Sequence, residues 1–371
     1  MKFKTIKISD IVEQYKEKCG RSDLTIDEVC GISCNKVFFS PARQIAQDTS
    51  GYKIVPSGYF ACNLLHVGRD KVFPVALNFD NTPKIVSSNY YVFKFLDNPD
   101  ILKEYFFILL FSDLSDRYFA YYTEASVRDR LDWKTFCNTD LRVPPVAVQQ
   151  KIIDVFNSLS KNIFILQNYN DTLKRLILLL MEKYISNVQE FELGEFIEIS
   201  EETNFDNKFG AEDLYGISID KEFCRSMTDR KKVNLSNFFV VKPKYFAYNE
   251  ITSRNNECLS FAYNTTDNAI IVSNRYLVFR VVSKHLKEEF LYLYLSREEF
   301  DRFVRYNSWG CAREMFSFND FIQSKIPIPE LSKQNILVDL FYNLQFNIRK
   351  QKTYEKMKKQ ISSIVFKEYC V

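Results

Sequence analysis

The chain of 371 residues is 46% hydrophobic and 16% aromatic, with a formal net charge of +3. That composition supports two or three cored domains and excludes a disordered chain or a histone-like polycation, while allowing local basic patches. No run approaches the ~18 apolar residues of a membrane span. The charged start Met1-Lys2-Phe3-Lys4 lacks an apolar leader, and the nine cysteines are scattered with no CxxC, so the expectation is a cytoplasmic protein with reduced thiols.

The first strand-like stretches are Lys53–Val55, Tyr59–Asn63 and Lys84–Phe95, β-branched and aromatic and bounded by turn residues. Leu102–Phe119 follows with the apolar spacing of a helix. Pro144-Pro145 then opens a long helix, because proline is tolerated in a first turn and not inside. Over Ile152–Tyr184 the apolar residues step alternately by four and three. Written as a heptad, position a holds Phe156, Ile163, Asn170, Ile177 and Tyr184, and position d holds Ile152, Leu159, Leu166, Leu173 and Leu180. Ile at a with Leu at d is a coiled-coil pattern, and the single Asn170 is expected to fix pairing register at some cost in stability. At ~1.5 Å per residue this helix is roughly 50 Å long. Strand-like stretches return at Phe238–Val241, Tyr245–Asn249 and Ala269–Val281, and helical spacing returns at Lys284–Val304. Pro327–Pro329 opens a second long helix with Leu337, Phe341, Leu344 and Ile348 on its seam. Gln351 and Glu355 come next, and apolar positions resume at Met357, Ile361 and Ile364, out of phase, which predicts a local unwinding.

The second set of elements copies the first. Gly31-Ile32-Ser33, Lys36 and Phe38 return as Gly216-Ile217-Ser218, Lys221 and Phe223. Tyr59-Phe60-Ala61 and Asn63 return as Tyr245-Phe246-Ala247 and Asn249. Ile85-Val86-Ser87, Tyr90, Val92 and Phe93 return as Ile271-Val272-Ser273, Tyr276, Val278 and Phe279. Pro144, Gln149, Asp154, Phe156 and Leu159 return as Pro329, Gln334, Asp339, Phe341 and Leu344. An offset of about 185 residues marks a duplicated domain rather than a solenoid unit. The predicted architecture is α+β: two similar domains separated by two long, antiparallel coiled-coil helices, with pseudo-two-fold symmetry. The expected boundaries are 1–143 for the first domain, 144–188 for the first helical spacer, 189–328 for the second domain and 329–371 for the second spacer.

Catalytic motifs are missing. With nine Gly and no GxG, the sequence has no dinucleotide, Walker A or kinase loop. Two histidines, His66 and His285, leave almost nothing for a triad or a zinc site. Neither HExxH nor GxSxG occurs, and the only Pro-Pro, Val143-Pro144-Pro145-Val146, is not the Asn-Pro-Pro-aromatic motif of amino-methyltransferases. No catalytic residue, cofactor or metal is expected in this chain.

The proline step into each helix, Leu141–Ile152 (LRVPPVAVQQKI) and Ile326–Ile336 (IPIPELSKQNI), resembles the helix entrance of the specificity subunits of type I restriction-modification systems. The Tyr-Phe-Ala-x-Asn and Ile-Val-Ser-x-x-Tyr-x-Val-Phe strands are similar to those of that family's target-recognition domains. The resemblance runs over essentially the full length, in order and twice. It implies a chain that reads double-stranded DNA, while two modification subunits use S-adenosylmethionine to methylate adenine. ATP and Mg would belong to motor-nuclease subunits, and no membrane is involved.

On this reading residues 1–143 contact one half of a split site and residues 189–328 the other, and the helices set the unread spacer. Antiparallel helices would hold the domains about one to one and a half DNA turns apart, at ~34–36 Å per turn. Arg, Lys, Asn and Gln read base edges and grip phosphates. The candidates are Lys36, Arg43, Asn63, Arg69, Asn89, Arg128 and Arg130 in the first domain. In the second they are Lys221, Arg225, Arg230, Lys231, Lys232, Asn249, Arg254, Asn255, Asn274, Arg275 and Arg313. Arg128 and Arg313 occupy equivalent positions, open either to DNA or to a salt bridge with Asp129 or Glu314. Asn63 and Asn249 could instead cap turns, and Tyr90 and Tyr276 fit a framework role. Off the helix seam, Ile153, Phe164 and Ile165 could dock modification subunits or widen the apolar stripe. Two other readings remain: a recognition subunit of a related phage-defence or DNA-modification system, and a two-module protein-interaction scaffold.

Overall fold

The computed structural model describes residues 3–40, 46–65, 67–123, 129–225, 234–251, 258–309 and 314–369. Two compact units share the chain. Unit 1 comprises Met1–Asn168 with Arg349–Val371, and unit 2 comprises Tyr169–Ile348. The strands before the first long helix are β1 (Lys4–Lys7), β2 (Val12–Tyr15), β3 (Val29–Ile32), β4 (Phe38–Phe39), β5 (Lys53–Val55), β6 (Phe60–Cys62), β7 (Val75–Leu77), β8 (Lys84–Val86), β9 (Tyr91–Phe95) and β10 (Asp140–Val143). The helices are α1 (Val67–Asp70), α2 (Lys103–Leu110), α3 (Asp113–Tyr121), α4 (Trp133–Cys137) and the long α5 (Val146–Ile185). The second set runs β11 (Glu190–Glu192), β12 (Ile197–Ile199), β13 (Leu214–Ile217), β14 (Phe223–Arg225), β15 (Phe239–Val241), β16 (Phe246–Asn249), β17 (Ser260–Tyr263), β18 (Ile270–Val272), β19 (Leu277–Val281) and β20 (Lys325–Pro327). Its helices are α6 (Glu288–Leu295), α7 (Glu298–Tyr306), α8 (Phe318–Gln323) and the long α9 (Leu331–Tyr369).

Among the described residues the strand topology of unit 1 recurs in unit 2. The strand orders β2-β9-β6-β7 and β4-β3-β8-β5 in unit 1 return as β12-β19-β16-β17 and β14-β13-β18-β15 in unit 2, and the pair β1-β10 returns as β11-β20. Each stretch read from sequence as one strand, Lys84–Phe95 and Ala269–Val281, is two strands in different sheets. A turn divides them: the Tyr90 N–H donates to the Ser87 carbonyl at 3.1 Å, and the Tyr276 N–H to that of Ser273 at 3.0 Å. The single helices expected over Leu102–Phe119 and Lys284–Val304 are likewise each two. In the first, Ser112 accepts from the Leu114 and Ser115 N–H groups and so caps the start of α3.

The repeated Phe-Ala strand is buried on both faces, and that decides its residues. On β6, Phe60 and Cys62 enter the main core while Ala61 faces a second cluster between the sheets. On β16, Phe246 and Tyr248 divide from Ala247 in the same way. The register pairs Phe60 with Phe93 and Phe246 with Phe279, and the rings stack at 5.0 Å and 4.8 Å. Helix α2 is apolar nearly all round and is buried from Tyr105 to Leu110, as that pattern requires.

The long helices keep the expected seam. Every a and d position from Ile152 to Tyr184 is buried or half-buried, including Asn170. Within unit 1 the beginning of α5 (Ile153, Phe156) packs with the end of α9 (Val365, Phe366). Within unit 2 the end of α5 (Leu173, Ile177, Met181) packs with the beginning of α9 (Leu337, Phe341, Leu344). Each unit therefore shows the antiparallel pairing. Of the two readings open for Ile153, the structure shows the wider stripe: it is buried in the unit 1 core, where the helix flanks its domain.

The predicted phase slip in α9 does not occur. Met357 and Ile364 are exposed, and the buried positions are Ser362 and Val365, in step with Leu337 and Leu344, with Lys358 half-buried on the same seam. Lys358 keeps the heptad by laying its aliphatic stem along the seam, its ammonium 4.4 Å from the Phe156 ring centroid and 4.7 Å from that of Phe111. Burial pushes this ammonium down to about 8, opposed by Glu355. Free lysine titrates near ~10.4, so between these values the unfolded chain binds more protons and stability rises with pH through that window. Lys358→Met is expected to raise the unfolding free energy at pH 7 on the order of 2 kcal/mol and to flatten the rise between pH 8 and 10. Urea unfolding at both pH values checks this, and an unchanged pH dependence in the variant would exclude Lys358 as its source.

Candidate nucleic-acid interface

Antiparallel pairing sets Cys62 on β6 against Tyr91 on β9, and Tyr248 on β16 against Leu277 on β19. In each unit, then, the end of one strand lies beside the start of its neighbour. Unit 1 gathers four predicted residues at this edge. Asn63 directly follows β6, and Asn89 lies exposed in the turn before β9. Arg69 stands on α1, and the Gly68 N–H donates to the Asp129 carbonyl at 3.1 Å, which brings Arg130 to the same place. Arg130 lies over the Tyr91 ring at 5.8 Å and donates to its hydroxyl, while Tyr91 stacks on Trp133. Arg69 pairs with Asp70 at 2.8 Å, a hydrogen bond that pushes the guanidinium further up and keeps it a fixed cation. The Asn63 Oδ1 accepts from the Leu65 N–H at 3.0 Å, so its carbonyl side holds a turn.

Unit 2 repeats the edge with different chemistry. Asn249 Oδ1 accepts from the Ile251 N–H at 3.1 Å, and Asn274 and Arg275 are exposed in the turn before β19. Ile251 and Trp309 both pair with Met315, which brings together residues flanking the stretches that hold Arg254, Asn255 and Arg313. Arg225 is exposed on β14 of the other sheet, across from Tyr215, which on its other side pairs with Val272. Arg43, Arg128, Arg230, Lys231, Lys232, Arg254, Asn255 and Arg313 lie outside the described residues.

Two candidates are corrected. Lys36 and Lys221 are buried and cannot reach a phosphate. Each sits in a tight turn at positive φ, +60° and +59°, a region that disfavours a side chain. Lys36 Nζ donates to Asp116 at 2.7 Å and to the Leu110 carbonyl, and Asp116 also accepts from the Phe73 N–H at 2.9 Å. Lys221 Nζ donates to both Asp301 oxygens at 2.8 and 2.7 Å and to the Leu295 carbonyl at 3.2 Å, and Asp301 accepts from the Leu259 N–H. Recurrence of these lysines reflects a framework. The sequence held the signal, since Asp116 and Asp301 recur with the same offset as their lysines. Tyr90 is also framework, its hydroxyl accepting from the Ile32 N–H at 3.2 Å.

The motif glutamines are a second framework device. Gln149 and Gln334 are wholly buried. Gln149 donates to the Asp100 and Pro144 carbonyls at 2.7 and 2.8 Å and accepts from the Leu102 N–H at 2.9 Å. Gln334 donates to the His285 and Pro329 carbonyls at 2.8 and 2.7 Å and accepts from the Lys287 N–H at 2.8 Å. Each ties its long helix to the segment that opens α2 or α6.

What remains exposed at the edges is a set of amide and guanidinium donors, the groups that read groove edges and grip phosphates. Among the described residues no three histidines, cysteines or carboxylates are placed to hold a metal ion, and no helix is long and apolar enough to cross a membrane.

The sequence family described as type I restriction modification DNA specificity domain matches residues 2–175 and again 185–359. No curated protein matches the chain in sequence. The S subunit of a type I restriction-modification system from M. genitalium has a similar fold, with a TM-score of 0.59 at 12% identity over 99% of this chain and 96% of that one. The HsdS subunit from Thermoanaerobacter tengcongensis aligns with a TM-score of 0.37 at 15% identity, over 98% of this chain and 96% of that one.

Proposed function

This chain belongs to the type I restriction modification DNA specificity domain family, and from that premise we propose that its two units each read one half of a split DNA site. The chain is a DNA specificity subunit, and the finer division of labour is our reading. The observation that supports it is one framework built twice by one chain, with matching sheets and different exposed groups at the edge: Arg69, Asn89 and Arg130 in one unit, Asn274 and Arg275 in the other. Different readers imply half-sites of different sequence. The paired helices act as the ruler that sets the unread spacer, with Asn170 holding their register. Residues 144–188 and 329–371 are the spacer segments, and 1–143 and 189–328 the recognition domains.

The helix surfaces off the seam dock two modification subunits. Phe164 and Ile165 are exposed there, as are Leu179 and its counterpart Ile364, and such apolar surface marks a protein contact. S-adenosylmethionine, ATP and Mg are used by these and by motor-nuclease subunits, and this chain performs no reaction alone. The complex is cytoplasmic. The test is a genome-wide map of N6-methyladenine in cells holding this chain with its modification subunit, against cells lacking only this chain. A split, asymmetric motif that vanishes on deletion is the expected result. An unchanged map, or a continuous palindromic motif, would overturn the reading.

A further inference from the structure

Beyond the polar readers, each recognition edge carries an exposed tyrosine. Helices α3 and α7 correspond residue for residue, and they end on Tyr121 and Tyr306. These side chains are 82% and 85% exposed. Among the described residues they are the one corresponding pair of aromatics in which both members are exposed. Most other aromatics of these helices go inward: Phe119 and Phe300 are buried in their cores. A ring left in water at the same place in two domains that otherwise differ on their surfaces is not explained by folding, because neither core needs it.

Their position is informative. Two residues past Tyr121, Thr123 abuts Gly68 so closely that a Cβ there would meet its Oγ1 at 2.4 Å, so Tyr121 stands beside the helix that carries Arg69. Three residues past Tyr306, Trp309 pairs with Met315, which pairs with Ile251, two residues past Asn249. Both tyrosines therefore border the donor-rich edges described above. The ring is an apolar body with a hydrogen-bonding tip, the combination that packs on deoxyribose while its hydroxyl donates to phosphate.

Resting on the specificity reading, we infer that Tyr121 and Tyr306 are DNA-contact residues, one for each half-site, gripping the duplex backbone beside the groove that the polar residues read. Each removal is expected to weaken binding roughly tenfold, equally for all sequences, because sugar and phosphate carry no base identity.

The experiment titrates the full chain into a labelled duplex of mixed sequence at several salt concentrations, with melting temperature measured in parallel. Wild type is expected to bind with steep salt dependence. Tyr121→Ser with Tyr306→Ser is expected to lose about a hundredfold in affinity at an unchanged melting temperature, near the product of the two single variants. Affinity equal to wild type overturns the inference and leaves the specificity reading standing. A wild-type chain that does not bind duplex DNA overturns both. Should the serine variants melt early, Tyr121→Glu with Tyr306→Glu takes their place. A carboxylate facing phosphate must weaken binding further, and unchanged affinity there again overturns the contact.

Discussion

Asp116→Ala is expected to lower the unfolding free energy by about 3–5 kcal/mol, the usual cost of stranding one member of a buried ion pair. The variant leaves the Lys36 ammonium inside unit 1 with the Leu110 carbonyl as acceptor, and it deprives the Phe73 N–H of its partner. Burial already pushes Lys36 down and Asp116 up, so each group resists its charge and depends on the other. Asp301→Ala should cost less. The side chains of Lys221 and Asp301 are 8% and 17% exposed, against 3% and 9% for Lys36 and Asp116, so water reaches the second pair more easily. Denaturant unfolding of both variants checks the order. A loss below about 1 kcal/mol in Asp116→Ala would place the pair with ordinary surface bridges and overturn its framework role.

Gln334→Leu is expected to cost about 2–4 kcal/mol, since the buried Pro329 carbonyl, at about 1–3 kcal/mol, and the half-buried His285 carbonyl and Lys287 N–H, at less, all lose their partner. Leucine fills the volume, so the loss reports the hydrogen bonds to His285, Pro329 and Lys287 rather than a cavity. The Lys287 N–H opens α6, and Lys287 offers no side-chain cap of its own, so this helix end should fray. Hydrogen exchange at Leu291–Leu293, where the helical hydrogen bonds begin with the Leu291 N–H on the Lys287 carbonyl, would read that directly. Gln149→Leu should act likewise on Leu102 at the start of α2. Full protection of α6 in Gln334→Leu would show that the glutamine is not the lock.

Much of the fold was legible in the residues. The duplication, the proline step with its glutamine, and the seam from Ile152 to Tyr184 all lie in local spacing, and the structure keeps them. The Phe-Ala strand was legible as a strand, but its Ala61 and Ala247 acquire their reason only when two sheets meet across them. Of the candidate readers, Asn63, Asn89, Arg69 and Arg130 converge on one edge, while Lys36 and Lys221 turn inward. The apolar residues Met357 and Ile364 misled for a related reason, because the seam position between them is Lys358. A lysine on a seam reads as a break in phase until two rings are placed beneath it.

The sequence by itself determined that there are two copies of one domain, where each long helix begins, and which stripe of the first helix is buried, because periodicity is a property of neighbouring residues. Only the tertiary structure decided which repeated cation is framework and which is surface. Lys36 meets a carboxylate 80 residues away, and Lys221 repeats the separation. The matching recurrence of Asp116 and Asp301 names a possible partner, but no local pattern joins residues so far apart, and recurrence of the lysine alone looked the same for a buried group as for a DNA reader.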